Sequence, residues 1–130
     1  MRNMRIVLGG KHLVEAHYKD FVIQTDQPEK VGGDNSAPSP FDLFLASVGT
    51  CAGYYVQSFC QQRKIPTDGI FLEQLMHVDE ATRMIGEIEI RIFLPPDFPE
   101  QYKKSVIKAA EACAVKKHIS NAPEFSVKIV

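Results

Sequence analysis

The sequence predicts an α+β fold built as a single domain, residues 1–130, with elements in the order βββ-α-ββ-α-β. A chain of 130 residues has the length of one ordinary domain. Short stretches of alternating apolar and polar residues indicate strands, and two longer stretches with apolar residues at helical spacing indicate helices. Strands and helices that come in separate runs are typical of α+β proteins.

The N-terminal stretch predicts a meander of three strands followed by a long loop. The strands are Arg5–Leu8, Leu13–Tyr18 and Phe21–Thr25, separated by Gly9-Gly10-Lys11 and Lys19-Asp20 as turn signals. Residues 26–40 then hold three of the eight prolines and two of the eight glycines. Loops of this length inside a domain are usually functional or mobile.

A long helix is predicted to follow this loop. Ser39 suits the cap, Pro40 the first helical position, and Asp42 completes a capping box three residues after Ser39. From there to about Arg63 the chain is apolar on nearly every side, which is typical of a buried central helix. A domain of this size can hardly enclose such a helix alone, so a partner subunit is expected.

The second half of the chain predicts two strands, a helix and a last strand. The strands are Ile70–Val78 and Gly86–Leu94, and the second alternates cleanly between isoleucine and charged residues. A helix is expected from residues 97–99 to about Ile119. Phe125–Val130 has the pattern of a final strand.

Composition excludes several classes of function. The net charge is −1 and the basic residues are scattered, so neither nucleic acid nor an anionic membrane is an expected partner. The most apolar stretch, Leu43–Val56, is interrupted by polar residues and glycines and is too short to span a membrane. Three cysteines, an odd number, argue against a secreted disulfide framework. We therefore expect a cytoplasmic protein with free thiols.

The cysteines are the candidate reactive residues, although their pattern also fits a structural role. Cys51 lies in the middle of the first helix, and Cys113 lies on the inward stripe of the second. Free cysteine is among the most buried residue types, so both also fit simple core positions. Cys60 falls on the opposite face of its helix from Cys51 and is interpreted as structural.

No other motif in the sequence competes with the cysteines. There is no Cys-x-x-Cys, no His-Glu-x-x-His and no phosphate-binding glycine loop of the required spacing. His118 follows Cys113 by five residues and would point away from it on a helix, so no metal site is predicted. No cofactor is predicted either.

Two motifs give the chain a resemblance to a known family. The run from Gly33 to Cys51, GDNSAPSPFDLFLASVGTC, is similar to the entry into the central helix of the OsmC/Ohr superfamily. The segment Cys113–His118, CAVKKH, resembles the second cysteine motif of that superfamily. The likeness extends over nearly the whole chain, because the order of strands and helices also fits.

The resemblance implies an intertwined homodimer with its long helices at the centre and two sites at the interface. It further implies reduction of organic hydroperoxides: Cys51 would become a sulfenic acid, Cys113 would condense with it, and an external dithiol would reduce the disulfide.

The hydroperoxide-resistance branch carries a glutamate where this chain has Phe41. Asp42 is therefore interpreted as a cap, and the chain as closer to the less characterised OsmC-like branch.

The sequence leaves open which cation, if any, would activate Cys51. It also leaves open more than one function. The early cations are Arg2, Arg5, Lys11 and Lys30. A second hypothesis is a module that binds a small apolar ligand against an aromatic wall of Phe44, Tyr54 and Tyr55. Asp42 is a further candidate for the substrate pocket. A third is a structural dimer that has lost its activity.

Overall fold

The structure is a computed structural model that describes residues 2–130. Its contacts divide into two compact units, one up to Ala46 and one from Ser47 to Val130. The boundary falls inside the long helix α1, Pro40–Gln62. The mixed α+β class is confirmed, and the organisation as a single domain stays a prediction.

The N-terminal unit contains an antiparallel three-stranded sheet in the order β1-β2-β3. The strands are Arg5–Leu8, Val14–Tyr18 and Phe21–Thr25, which confirms the predicted meander. Tyr18 pairs with Phe21, so that Lys19 and Asp20 form a two-residue turn. Lys19 has a φ of 53°, in the left-handed region that such hairpin turns require.

Asp26 organises the loop that follows this sheet. Its side chain is buried, and Oδ2 accepts hydrogen bonds from Ser36 Oγ at 2.6 Å and Ser36 N at 3.0 Å. The backbone N–H groups of Gln27 and Asp34 also donate to this carboxylate, at 2.8 and 3.3 Å. These bonds, above all the one from the Ser36 hydroxyl, lower the pKa of Asp26 from 3.8 to about 2. A Cβ on Gly33 would overlap the carbonyl oxygen of Gln27, so the loop requires glycine there.

Helix α1 begins with the predicted capping box. Ser39 Oγ accepts a hydrogen bond from Asp42 N at 3.2 Å, and Asp42 Oδ2 accepts one from Ser39 N at 3.1 Å. Two backbone N–H groups that lack helical partners are satisfied in this way. The helix ends at Gln62, one residue before the predicted end.

The C-terminal unit packs two antiparallel strands and two short helices with the second part of α1. Strand β4, Phe71–Val78, pairs with β5, Ile85–Phe93, and both ends of each strand lie within a residue of their predicted positions. A buried cluster forms the core of this unit. Its members are Val56, Phe59, Cys60, Phe98 and Val106.

The prediction of one continuous second helix is wrong. A 3-10 turn at Glu100–Tyr102 leads into α2, Lys103–Glu111, and a separate helix α3 spans Ala114–Ser120. Cys113 lies in the break with φ −59° and ψ 124°, an extended conformation. Its sulfur accepts a hydrogen bond from Lys116 N at 3.4 Å and so caps α3, as serine does in other helices.

The predicted final strand, Phe125–Val130, is also wrong for the single chain. These residues belong to no strand, and the side chains of Phe125 and Val127 are 88% and 98% exposed. A strand forms only where another strand offers its backbone N–H and C=O groups. The part of the chain that the structure describes pairs no strand with this segment.

The second half of α1 is buried along one stripe and exposed along another. Ala52, Val56, Phe59 and Cys60 are buried, whereas Tyr54 is 61% exposed. The full burial predicted for this helix depends on a partner subunit and stays a prediction. No helix between residues 2 and 130 is long and apolar enough to cross a membrane.

Gly49 and Gly53 lie on one stripe of α1, a pattern that predicts the close approach of a second helix, and the structure differs from this prediction at Gly49. A Cβ on Gly49 would lie 2.6 Å from Gln74 Oε1, so that strand β4, and not a helix, packs closely at this position. A Cβ on Gly53 would meet no atom within 4 Å.

Candidate functional site

Cys51 and Cys113 meet inside the C-terminal unit. Cys51 projects from the middle of α1, and Cys113 occupies the break between α2 and α3. The Cys113 thiol donates a hydrogen bond to the sulfur of Cys51. Cys60 is fully buried in the core cluster, in agreement with its predicted structural role.

The start of α3 supplies the other donors to Cys51. The backbone N–H groups of Val115 and Ala114 both donate hydrogen bonds to the Cys51 sulfur. The first N–H groups of any α-helix have no acceptor within that helix. The break at Cys113 therefore brings N–H groups that have no acceptor within α3 to Cys51.

These contacts lower the pKa of Cys51. Burial acts in the opposite direction and raises the pKa, because an apolar environment disfavours the thiolate. The hydrogen bonds from Val115 N–H, the Cys113 thiol and Ala114 N–H together outweigh burial and favour the thiolate. Nucleophilic cysteines in proteins show this combination of a lowered pKa and partial exposure.

The pKa of Cys113 moves in the opposite direction. Burial raises it, and so does the hydrogen bond that its thiol gives to Cys51, whereas the N–H groups of Lys116 and Val115 oppose the change. The two thiols therefore differ in acidity. Cys51 is suited to ionise and attack, and Cys113 is suited to keep its proton and donate it.

A cavity of about 780 Å³ lies beside this pair, within the C-terminal unit. Isoleucines of β5 form one wall, and residues of α1, α2 and α3 form the others. Its main apolar residues are Ala52, Ile88, Ile90, Ile92, Val106 and Ala110. Cys113 also lines the cavity, whereas Cys51 is not among the described residues that do. The apolar face predicted for β5 therefore forms one wall of the cavity.

The predicted aromatic wall does not line this cavity. Tyr54 and Tyr55 contact each other edge to face, with ring centroids 5.2 Å apart, and neither borders it. Phe44 lies in the N-terminal unit, where it stacks on Phe41 at 5.6 Å. Asp42 is occupied by the capping box. The role of these four residues in a substrate pocket stays a prediction.

The predicted activating cations all belong to the N-terminal unit. Lys11 forms an ion pair with Asp34 at 2.9 Å, and Arg2, Arg5 and Lys30 are exposed. Their action on Cys51 stays a prediction. Within residues 2–130 no group of three or more histidine, cysteine, aspartate or glutamate side chains could hold a metal ion.

Sequence reasoning missed the backbone donors of Ala114 and Val115. Backbone N–H groups carry no residue signature, and the helix break that exposes them contains neither glycine nor proline. Cys113 was the one sequence signal for this helix break, since a side chain that accepts hydrogen bonds can cap the start of a helix.

The α+β fold thus brings Cys51 and Cys113 together at a helix break. The family model described as OsmC-like protein matches residues 33–128 and thus covers both cysteines. The chain belongs to the OsmC-like family. The comparison with curated proteins returned no match.

Solved structures share this fold. A Psychrobacter arcticus protein, described as an osmotic stress induced and detoxification response protein, has a TM-score of 0.73 at 23% identity, covering 90% of this chain and 87% of its own. An OsmC-like protein from Mycoplasma pneumoniae has a TM-score of 0.68 at 13% identity, with coverage of 94% and 89%. An organic hydroperoxide resistance protein OsmC from Legionella pneumophila has a TM-score of 0.53 at 16% identity, with coverage of 92% and 90%. At these identities the likeness concerns the fold alone.

Proposed function

We propose that this protein reduces organic hydroperoxides through Cys51 and Cys113. The observation that carries the proposal is the hydrogen-bonded pair in which Cys51 has the lowered pKa and Cys113 the raised one. Membership of the OsmC-like family supports a redox or peroxide-resistance role. Neighbours of the same fold are named for organic hydroperoxide resistance, which agrees with that role.

The chemistry begins at the Cys51 thiolate. The thiolate attacks one peroxide oxygen, the O–O bond breaks, and an alcohol leaves after taking up a proton, so that Cys51 becomes a sulfenic acid. The N–H groups of Ala114 and Val115 stabilise the thiolate before the attack. Because they are fixed at a helix start, they need no reorganisation during the reaction.

Cys113 completes the oxidative half of the cycle. Its sulfur attacks the Cys51 sulfenic acid, water leaves, and a disulfide forms. Disulfide formation requires the two sulfurs to move from this hydrogen bond to the bonded distance of about 2 Å. An external dithiol then returns both sulfurs to thiols. The cytoplasm is the proposed location, because free thiols persist in its reducing environment.

Cys51→Ser is expected to abolish turnover of cumene hydroperoxide with dithiothreitol as reductant, since serine cannot form a sulfenic acid. Peroxide consumption is the measurement, and Cys60→Ala is the matched control, because Cys60 lies in the core and away from the pair. Cys60→Ala should keep its activity per folded molecule. Equal consumption by wild type and Cys51→Ser would contradict the proposal.

A second candidate function is the binding of a small apolar ligand without turnover, and the aliphatic cavity favours it. The place of the chain in the less characterised OsmC-like branch, proposed from Phe41, agrees with low peroxidase activity. In that case Cys113→Ala would leave the affinity for an apolar probe intact. Under the peroxidase proposal the same substitution removes disulfide formation, as mass spectrometry after peroxide treatment would detect.

We further propose that the protein is a homodimer. Many large apolar side chains are exposed in the single chain, among them Tyr54 on α1, Met84 before β5 and the alternating residues of the C-terminal segment. Exposed apolar surface of this extent is typical of a protein interface. Sedimentation equilibrium should give the mass of two chains, and the mass of one chain at micromolar concentration would contradict the dimer.

A further inference from the structure

We propose that helix α3 is a redox-sensitive switch, which is ordered while Cys51 and Cys113 are thiols and loses its order at the N-terminal turn when they form a disulfide. This switch rests on the proposed function in one respect, since it acts through the disulfide that the peroxidase cycle produces. It adds a conformational change outside the cavity, and it makes the stability of α3 a control on how easily the disulfide is reduced.

The two sulfurs accept the hydrogen bonds from the start of α3. The N–H groups of Ala114 and Val115 donate to Cys51, and Lys116 N donates to Cys113 Sγ at 3.4 Å. The first N–H groups of an α-helix have no acceptor within that helix. The N-terminal turn of α3 therefore depends on two cysteine side chains, one of which lies far away in the sequence.

Other interactions of α3 are few. The helix spans seven residues, fewer than the roughly 12–15 that an isolated helix needs to be stable in water. No residue between Ala114 and Ser120 is fully buried, so apolar packing contributes little. At the other end, Asn121 N and Nδ2 both donate to Lys117 O, at 2.9 and 3.3 Å, which closes only the last turn. The order of the helix is therefore sensitive to the bonds at its start.

Oxidation weakens those bonds. The Cys51 thiolate carries a charge, and hydrogen bonds to a charged acceptor are about twice as strong as those between neutral groups. In the disulfide both sulfurs are neutral, and divalent sulfur is a weak acceptor. Cys113 Sγ also has to approach Cys51 to a bonded distance of about 2 Å, which alters its contact with Lys116 N. Water then becomes the better acceptor for the first N–H groups of α3.

The coupling between helix and disulfide acts in both directions. Because the disulfide makes α3 less stable, thermodynamic linkage requires that any change which stabilises α3 favours the dithiol form. A protein whose reduced form is stabilised has a more oxidising disulfide. The helix thus regulates the redox equilibrium of Cys51 and Cys113 through its backbone N–H groups.

The first experiment compares hydrogen exchange in the reduced protein and in protein oxidised with diamide. Diamide takes two electrons and two protons from the thiols, so that its N=N bond becomes a hydrazine and an S–S bond joins Cys51 to Cys113. We expect the amides of residues 114–120 to exchange at least about tenfold faster in the disulfide form, while those of β2 and β3 keep their rates. Equal exchange of α3 in both forms overturns the switch, and so does a protein in which diamide forms no Cys51–Cys113 disulfide.

The cap is tested without oxidation by comparing Cys113→Ala with Cys113→Ser. Serine keeps an acceptor for Lys116 N, whereas alanine has none. In reducing buffer we expect residues 114–120 to exchange about three- to tenfold faster in Cys113→Ala than in Cys113→Ser. Diamide should change neither variant, because neither can form the disulfide. Equal exchange in the two variants overturns the role of the cap, and a diamide effect that survives in them overturns the switch.

The linkage is tested at Lys117, which is exposed, lies inside α3 and does not line the cavity. Lys117→Gly and Lys117→Ala remove the same charge, but glycine disfavours a helix about fivefold relative to alanine. In a buffer of reduced and oxidised glutathione, we expect the Lys117→Gly disulfide to be about three- to fivefold harder to reduce, since glycine penalises only the form in which α3 is ordered. The same redox equilibrium constant in both variants overturns the linkage.

Failure of the switch and failure of the proposed function give different results. Faster exchange of α3 after diamide, in a protein that does not consume cumene hydroperoxide, overturns the peroxidase function alone. Oxidation of Cys51 and Cys113 by cumene hydroperoxide, with unchanged exchange of α3, overturns the switch alone.

Discussion

Replacing Ala114 with proline is expected to slow the alkylation of Cys51 about three- to tenfold at neutral pH. Proline lacks the N–H that Ala114 donates to the Cys51 sulfur. A hydrogen bond to a charged group is worth about 1.5–3 kcal/mol, but the remaining thiolate also becomes somewhat more nucleophilic as its pKa rises. The net effect is a slower reaction and a titration of Cys51 that moves to higher pH.

The substitution is designed to leave α3 intact. Ala114 is the first residue of α3, where proline is well tolerated. Cys113 before it has φ −59° and ψ 124°, a conformation that a following proline favours. Iodoacetamide alkylation from pH 5 to 9, mapped by peptide, gives the rate at Cys51.

Ala114→Gly provides the matched control for this prediction. Glycine keeps the N–H and weakens the helix by up to about 1 kcal/mol, so it separates loss of the donor from loss of helix stability. We expect Ala114→Gly to alkylate at nearly the wild-type rate. Equal slowing in both variants would show that the N–H of Ala114 does not act on Cys51.

Asp26→Ala is expected to lower the melting temperature by roughly 5 °C or more at neutral pH. The substitution leaves donors of Gln27, Asp34 and Ser36 without the carboxylate that now accepts their hydrogen bonds. Unfolding followed by circular dichroism gives the measurement. Asp34→Ala is the control, because the Asp34 side chain is exposed and forms only a surface ion pair with Lys11, so little change is expected.

The contribution of Asp26 should disappear in acid. Its pKa is about 2 in the folded protein, against an ordinary 3.8, so the unfolded chain binds the proton more tightly. The stabilisation is complete above about pH 4 and is lost as the pH falls through 2. The difference in stability between wild type and Asp26→Ala should therefore shrink from pH 4 to pH 2. A difference that stays constant over this range would contradict the role given to the carboxylate.

Local sequence patterns predicted most of the strands and helices, because neighbouring residues decide where these elements begin and end. The capping box of Ser39 and Asp42 depends on residues three positions apart, and the hairpin turn at Lys19 on two residues. Alternation in β5 predicted both the strand and its apolar face. Each of these is decided by neighbours in sequence, and the structure confirms each of them.

The predictions that proved wrong concern features with non-local causes. The break at Cys113 exists although apolar residues continue at helical spacing across it, and tertiary contacts with Cys51 accompany the new helix start. Phe125–Val130 has the alternation of a strand, but pairing depends on a neighbour that alternation does not specify. The position of Gly49 against Gln74 likewise follows from how β4 packs on α1.

The candidate site was predictable only in part. Their spacing alone is equally compatible with simple core positions for Cys51 and Cys113, and the family resemblance makes them candidate site residues. Their different pKa values arise from burial and from backbone N–H groups, which leave no pattern in the sequence. The aromatic residues were the more conspicuous candidates for a pocket, yet the cavity beside Cys113 is aliphatic.

In the single chain, before any dimer forms, the exposed C-terminal segment has a consequence for colloidal stability. Phe125, Val127 and Ile129 alternate along an unpaired backbone, which can serve as a template for the same segment of another molecule. Lys128 carries the one charge between Phe125 and Val130. Stacked copies would bring their Lys128 ammonium groups together, and the repulsion opposes fibril growth. We therefore regard Lys128 as a gatekeeper against aggregation, a role that is independent of the thiol chemistry.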